Sequence, residues 1–125
     1  MISIETTDRC TIFRVTGEVT ANKIIMQAAQ YLAGEQTATS LWDFTQTTRV
    51  NITTMEMRGI AESLKDSTSD GIVRKVALVG SKHINIGLGK IFAAFAQIAN
   101  LPYDYKVFRT LALAERWLAG HPHDT

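Results

Sequence analysis

The chain has 125 residues, of which 46% are apolar, and it carries 13 basic against 12 acidic side chains for a net charge of +1. This is the length and composition of one folded domain, and it excludes an intrinsically disordered chain. A net charge so close to zero argues against nucleic acid as the main partner. The single cysteine, Cys10, excludes an internal disulfide framework.

The N-terminal segment and the apolar stretches predict a cytoplasmic protein without a transmembrane segment. The first ten residues lack the basic region and following apolar region of a secretory signal. The longest apolar-rich stretch, 84–99, is interrupted by Asn85, Gly87, Lys90 and Gln97. A membrane-spanning helix needs about 20 mostly apolar residues, so this stretch is not expected to span a membrane.

The first third of the chain predicts a β-hairpin followed by a helix. Residues 2–6 and 11–16 are short β-branched segments separated by turn-forming residues, and Gly17 ends the second of them. Thr20 is the predicted N-cap of the first helix. Apolar residues then recur at helical spacing until Gly34, which ends the helix.

The middle of the chain predicts a third strand and the helix with the clearest start signal. Residues 39–45 are rich in large apolar side chains and predict the strand. Thr53 and Glu56 have the spacing of a capping box, in which each side chain bonds the backbone N–H of the other residue. The second predicted helix then has one apolar stripe, formed by Met57, Ile60, Ala61 and Leu64.

The last third of the chain predicts two further strands and two further helices. Residues 72–80 contain a continuous apolar run, which is typical of a central strand covered on both faces. The third predicted helix covers 84–100 and ends before a proline, and 103–109 is the last predicted strand. The final helix is capped by Thr110 and ends before Gly120.

These elements predict a single α/β domain over residues 1–120, with 121–125 as a flexible tail. After the hairpin, strands and helices alternate, which favours parallel strands joined by right-handed crossovers. The predicted fold is therefore an N-terminal β-hairpin followed by alternating β-α units, with a largely parallel five-stranded sheet and about four helices.

Several motifs, in this order along the chain, resemble the SpoIIAA-like family, also described as STAS/Sec14-like. The resemblance covers nearly the whole sequence and rests on Val15-Thr16-Gly17, the Thr20 cap, Leu41-Trp42-Asp43-Phe44, Lys75-Val76-Ala77-Leu78-Val79-Gly80, Val107-Phe108 and Leu113-Ala114-Glu115-Arg116-Trp117-Leu118. The resemblance implies a sheet of about five strands with helices packed against it, and no established catalytic activity.

The same resemblance implies a candidate phosphorylation site at Thr53. In the anti-sigma-factor antagonists of this family, a serine at the start of the second helix is phosphorylated within an Asp-Ser-Ser-Gly motif. The equivalent stretch here is Asn51-Ile52-Thr53-Thr54, so Asn51 stands in place of the acid and no glycine follows. Thr53 is therefore either a phosphosite or only a helix cap.

Lys82 and His83 are candidate ligand-binding residues because they follow a predicted strand and precede the third predicted helix. Residues 71–110 carry six basic side chains against Asp104 alone. The loops at this end of parallel strands often form a ligand crevice. These residues predict binding of an anionic group or an acidic protein patch, or else they are scattered solvated charges. The nearby glycines complete neither a Walker motif nor a dinucleotide fingerprint.

Met55, Met57, Phe92 and Phe95 predict an apolar pocket between the second and third predicted helices. Methionine adapts to irregular ligands, and apolar residues line most small-molecule sites. The same spacing also fits an ordinary core, or an exposed stripe used for dimerisation or membrane contact.

No catalytic set can be assembled from the sequence, and three histidines are too few for a convincing metal site. Asp43 ends a predicted strand and is either a functional acid or a cap. The leading prediction is a non-enzymatic binding or regulatory module without metal or cofactor, acting as a homodimer or with a protein partner. The alternative is a carrier of a lipid or another apolar or anionic small ligand in the pocket between the second and third predicted helices.

Overall fold

The computed structural model of the protein describes residues 1–7, 9–34, 37–53, 55–56, 59, 74–80 and 103–120. The strands are β1 (Ile2–Thr6), β2 (Cys10–Val15), β3 (Gly17–Thr20), β4 (Thr39–Phe44), β5 (Thr47–Asn51), β6 (Arg74–Gly80) and β7 (Tyr103–Phe108). The helices with defined bounds are α1 (Ala21–Ala33) and α2 (Leu111–Leu118).

The main sheet has five strands in the order β1-β2-β4-β6-β7. Strand β1 runs antiparallel to β2, whereas the pairs β2–β4, β4–β6 and β6–β7 are parallel. The prediction of five strands opening with a hairpin is confirmed. The sheet as a whole is mixed, so the description of a largely parallel sheet is corrected, because the tight hairpin fixes an antiparallel pair at one edge.

The expected number of about four helices is not supported by the described part of the chain, in which two helices have defined bounds. Residues 55, 56 and 59 are also helical, at the start of the second predicted helix. The rest of that helix, the third predicted helix and the tail 121–125 lie outside the described residues.

Two cores lie on opposite faces of the main sheet. The α1-side core consists of Phe13, Val15, Val19, Ala21, Ile24, Ala28, Trp42, Phe44, Val76 and Leu78. The α2-side core consists of Leu41, Ala77, Val79, Phe108, Ala114 and Trp117. Successive residues of β4 and β6 alternate between the two cores, which explains why the apolar run of β6 is continuous rather than alternating with polar residues.

The helix ends follow the predicted capping residues. The Thr20 hydroxyl accepts from the backbone N–H of Lys23 at 3.4 Å, and helix α1 ends at Ala33 before Gly34. The Thr110 hydroxyl caps α2 in the same way, accepting from the N–H of Leu113 at 3.3 Å. Local sequence chemistry was therefore sufficient to define these helix starts.

A second, two-stranded sheet was not predicted. The chain bends at Gly17, whose φ is +73°, and continues into β3, which pairs in parallel with β5. This left-handed backbone conformation is one that glycine adopts without a steric penalty. The bend carries the chain out of the main sheet and brings β3 beside β5.

Candidate functional site

The starts of two helices lie side by side at the end of the small sheet. Thr20 and Asn51 are register partners at the ends of β3 and β5. Because the pairing is parallel, the segments that follow these strands leave from the same edge. One is α1, which begins at Ala21, and the other begins with the predicted capping box at Thr53.

The capping box is confirmed in both directions. The backbone N–H of Thr53 donates to Glu56 Oε1 at 2.8 Å, and the backbone N–H of Glu56 donates to Thr53 Oγ1 at 3.1 Å. Both residues are exposed. The Thr53 hydroxyl therefore caps the helical turn and remains accessible from solvent, so its capping role does not exclude modification.

An open pocket of about 480 Å³ separates the two helix starts. Thr20, Ala21, Asn22 and Ile25 line it from the α1 side, and Glu56 lines it from the capping box. The wall combines hydroxyl, amide and carboxylate groups with the aliphatic side chains of Ala21 and Ile25. We call this pocket, its five lining residues and Thr53 the helix-start site.

Charged groups of both signs lie within a few residues of the helix-start site along the chain. Glu18 and Arg49 are paired across the small sheet at 3.6 Å, with 44% of the Glu18 side chain and 71% of the Arg49 side chain exposed. The Lys23 ammonium donates to the backbone carbonyl of Glu18 at 3.1 Å. An exposed ion pair such as Glu18–Arg49 contributes about 0–1 kcal/mol, so it adds little to the stability of the small sheet.

The structure describes only part of the ligand set predicted from sequence. Met55 has 85% of its surface exposed, so within the described part of the chain it lines no enclosed pocket. The remaining five residues of that set, Met57, Lys82, His83, Phe92 and Phe95, lie outside the described residues. Their predicted role as an apolar or anionic ligand site stays a prediction.

Sequence reasoning identified Thr53 but missed the α1 side of the site. Thr20 was recognised as a cap, whereas Asn22 and Ile25 were not candidates. They reach the site because β3 pairs with β5, a contact between segments about 30 residues apart. The available signal was weak and consisted of a few β-branched residues, among them Val19 and Val50, in two very short segments.

Asp43 is a structural acid in this protein. The residue is 4% exposed, and Oδ1 accepts from the backbone N–H of Thr45 at 2.9 Å and from the Thr45 hydroxyl at 2.6 Å. Arg14 Nε lies 4.0 Å from Oδ2. Of the two predicted roles, the structure supports the cap, since Asp43 shapes the turn that leads from β4 to β5.

Cys10 is half-buried at the start of β2. Burial raises the pKa of the Cys10 thiol above its ordinary value of 9.0 and outweighs the opposing hydrogen bond with Thr39, while the charge of Glu115 adds a smaller increase. The thiol lies in a second open pocket of about 410 Å³, between the sheet and the end of α2. A neutral thiol of this kind is a poor nucleophile at physiological pH.

The described residues contain no cluster of three or more His, Cys, Asp or Glu side chains placed to hold a metal ion. Among the helices in that part of the chain, none is both long and apolar enough to cross a membrane.

The fold is that of SpoIIAA. The chain is similar to the structure of the anti-sigma factor antagonist SpoIIAA in its unphosphorylated form, with a TM-score of 0.58 and 13% identity, over 98% of this chain and 99% of that chain. It is also similar to the structure of the Bacillus cell fate determinant SpoIIAA in the phosphorylated form, with a TM-score of 0.51 and 12% identity, over 94% and 99% of the two chains. No protein-family model matches the sequence, and no curated protein matches it significantly.

Proposed function

We propose that this protein is a non-enzymatic regulatory module that binds a protein partner through the helix-start site. The observation that carries the proposal is the Thr53 hydroxyl, which is exposed at the start of a helical turn and adjoins a second helix start. The SpoIIAA fold supports the same role, because that protein is an anti-sigma factor antagonist solved with and without phosphorylation.

Phosphorylation of Thr53 is the proposed switch. A phosphate at a helix start is stabilised by the exposed backbone N–H groups and the helix dipole, by about 0.3–2 kcal/mol. It also places close to two negative charges beside the Glu56 carboxylate, which already bonds the Thr53 backbone. Repulsion then expels Glu56 from the capping box and changes the wall of the pocket that a partner would contact.

The first experiment measures the mass of the intact protein after incubation with kinases of the host cell. A shift of one phosphate in the wild type and none in Thr53→Ala supports modification at this position. An unshifted wild-type mass, or a shift that Thr53→Ala retains, argues against the switch.

The second experiment tests the binding surface separately from the kinase. Proteins captured by the wild type are quantified against those captured by Thr53→Glu and by the control Ala112→Glu. Ala112 is exposed on α2, which packs on the other face of the main sheet from α1. Loss of one specific partner in Thr53→Glu alone supports the proposal, whereas identical capture by all three proteins contradicts it.

The proposal includes a cytoplasmic location and no cofactor, both of which rest on the sequence. The alternative role, a carrier of a lipid or another apolar or anionic ligand, also stays a prediction. Solvent extraction of the purified protein followed by mass spectrometry tests it, and an extract without a stoichiometric ligand argues against a carrier.

A further inference from the structure

Strand β1 forms one edge of the main sheet and pairs with β2 alone among the described strands. The bonds at its two ends show which residues face β2. The backbone of Met1 exchanges two hydrogen bonds with Thr16, at 2.8 and 2.9 Å, and the N–H of Thr7 donates to the carbonyl of Cys10 at 2.8 Å. Odd-numbered residues of this segment therefore carry the bonds to β2.

Even-numbered residues of β1 direct their backbone groups away from the sheet. In an antiparallel pair the bonded positions alternate, so Ser3 and Glu5 bond to β2, whereas Ile2, Ile4 and Thr6 do not. The N–H and C=O groups of these three residues have no partner in the described part of the chain. They form a row of unpaired donors and acceptors along the outer side of β1.

The β1 edge lacks the features that usually prevent strand-to-strand association. It contains neither lysine nor proline, and Ile4 is half exposed. Its one charged residue, Glu5, is paired with Arg14 at 2.6 Å. The opposite edge strand, β7, carries Asp104 and Lys106. Charged residues protect sheet edges from pairing, so β1 is the edge open to another strand.

We propose that β1 pairs with β1 of a second copy of this chain, in an antiparallel register with Ile4 opposite Ile4 of the second copy. This register places Ile2 opposite Thr6 of the second copy, and the reverse. Each of the three facing pairs joins residues with free outward groups, so the pairing forms about six hydrogen bonds. The two five-stranded sheets become one continuous sheet across a two-fold axis.

The charge of Glu5 and the exposed surface of Ile4 both fit pairing with β1 of a second copy. Ile4 lies on the α1-bearing face of the sheet, as its register partner Phe13 does, and the facing Ile4 of the second copy covers its exposed half. On the other face Glu5 stands opposite Ser3 of the second copy, so no like charges face each other directly. Strand β1 of a second copy can therefore pair the outward backbone groups of this edge without placing like charges opposite each other.

Sedimentation over a dilution series tests the association. The wild type is expected to dimerise as its concentration rises. Ile4→Pro removes only the outward N–H of an edge strand, and Ile4→Lys places two ammonium groups face to face, so both variants are expected to lose the dimer. Met26→Lys adds the same charge at a residue that is 62% exposed on α1 and is expected to retain the dimer. Circular dichroism establishes that each variant is folded.

Disulfide cross-linking tests the register in a Cys10→Ala background. Ile4→Cys places two thiols across the axis, at a Cα separation of about 5.5 Å that a disulfide can span. Ile2→Cys is the matched control because its two copies lie several residues apart. Cross-linking of Ile4→Cys alone supports the register, whereas cross-linking of both variants or of neither overturns it. A wild type that stays monomeric at every concentration, or a dimer that persists in Ile4→Pro and Ile4→Lys, overturns the proposal.

Discussion

Single threonine hydroxyls fix the helix starts of this protein, and Thr20 provides the clearest test. Replacing Thr20 with alanine removes the acceptor for the Lys23 N–H, so we expect the free energy of unfolding in urea to fall by about 1 kcal/mol. Thr20→Ser retains an acceptor and is expected to lose little. Thr48→Ala is the control, because Thr48 is exposed on β5. Equal losses in Thr20→Ala and Thr48→Ala would contradict the capping role.

Gly17 and Gly34 are each followed by a glutamate, but replacing them with alanine is expected to have different effects on stability. Gly17 has a φ of +73° and free space around it, so Gly17→Ala imposes backbone strain of about 1–2 kcal/mol without a clash. Gly34 has a φ of −105°, and an added Cβ meets the nearest atom at 3.7 Å. Gly34→Ala is therefore expected to change the midpoint of urea unfolding little, and a midpoint that falls as far as in Gly17→Ala would rule out the strain argument.

At pH near 9.0 the Cys10 thiol of the folded protein is expected to react more slowly with iodoacetamide than the thiol of the urea-unfolded chain. Burial raises its pKa in the folded protein, so the reactive thiolate forms at higher pH than in the urea-unfolded chain. The direction in which folding stability changes with pH follows from the same rise in the pKa of Cys10. Stability is fully present below pH 9.0 and falls as the pH rises through the folded value, because the unfolded chain loses its proton first. Coincident rate profiles for native and unfolded protein would argue against the shift.

At the scale of elements, Trp117 is the largest side chain that packs α2 against the sheet. Trp117 is buried, Lys75 and Lys106 place their ammonium groups 5.2 and 5.3 Å from its ring, and Lys75 donates to its backbone carbonyl at 3.2 Å. We expect Trp117→Ala to lower the free energy of unfolding by about 3–5 kcal/mol, measured by urea denaturation. Leu113→Ala, on the exposed side of the same helix, is the control. A small loss for Trp117→Ala would show that other contacts hold α2.

Helix starts and strands were predictable where the residues that define them lie close together in the sequence. The caps at Thr20, Thr53 and Thr110 and the strands of the main sheet depend on short patterns of hydroxyl and apolar residues. Strands β3 and β5 have four and five residues, and each is defined by pairing with the other rather than by its own pattern. Short-range reasoning therefore took β3 as the approach to α1 and assigned no structure to β5.

At the scale of the whole molecule, the two tryptophans report on different cores. Trp42 lies in the α1-side core, where its ring stacks on Phe13 at 4.3 Å, and Trp117 lies in the α2-side core. Because β4 and β6 contribute side chains to both cores, neither core can open without disturbing the shared sheet. The variants Trp42→Phe and Trp117→Phe each retain one tryptophan. When each unfolding curve is fitted with the variant's own free energy of unfolding, both variants are expected to show a single transition with the same slope of that free energy against denaturant concentration. Different slopes would show that the two faces unfold separately.

Tertiary pairing between distant segments also determines how much of the helix-start site the sequence reveals. Thr53 was a candidate because its capping box is contained within four residues. The other wall, formed by Asn22 and Ile25 on α1, joins it through tertiary pairing, which no local pattern encodes. The predicted ligand residues beyond 80 depend on elements outside the described part of the chain.

The small sheet also has a consequence for the order of events in folding. An isolated two-stranded sheet is only marginally stable, whereas the central strands β4 and β6 are each paired on both sides within the main sheet. Amide protons of Val19 and Val50 are therefore expected to exchange with deuterium faster than those of Leu41 and Ala77 in the central strands. We therefore expect the helix-start site to assemble late in folding and to open before the main sheet does. A ligand or phosphate at this site can then change the local order at a free-energy cost that is a small fraction of that of global unfolding.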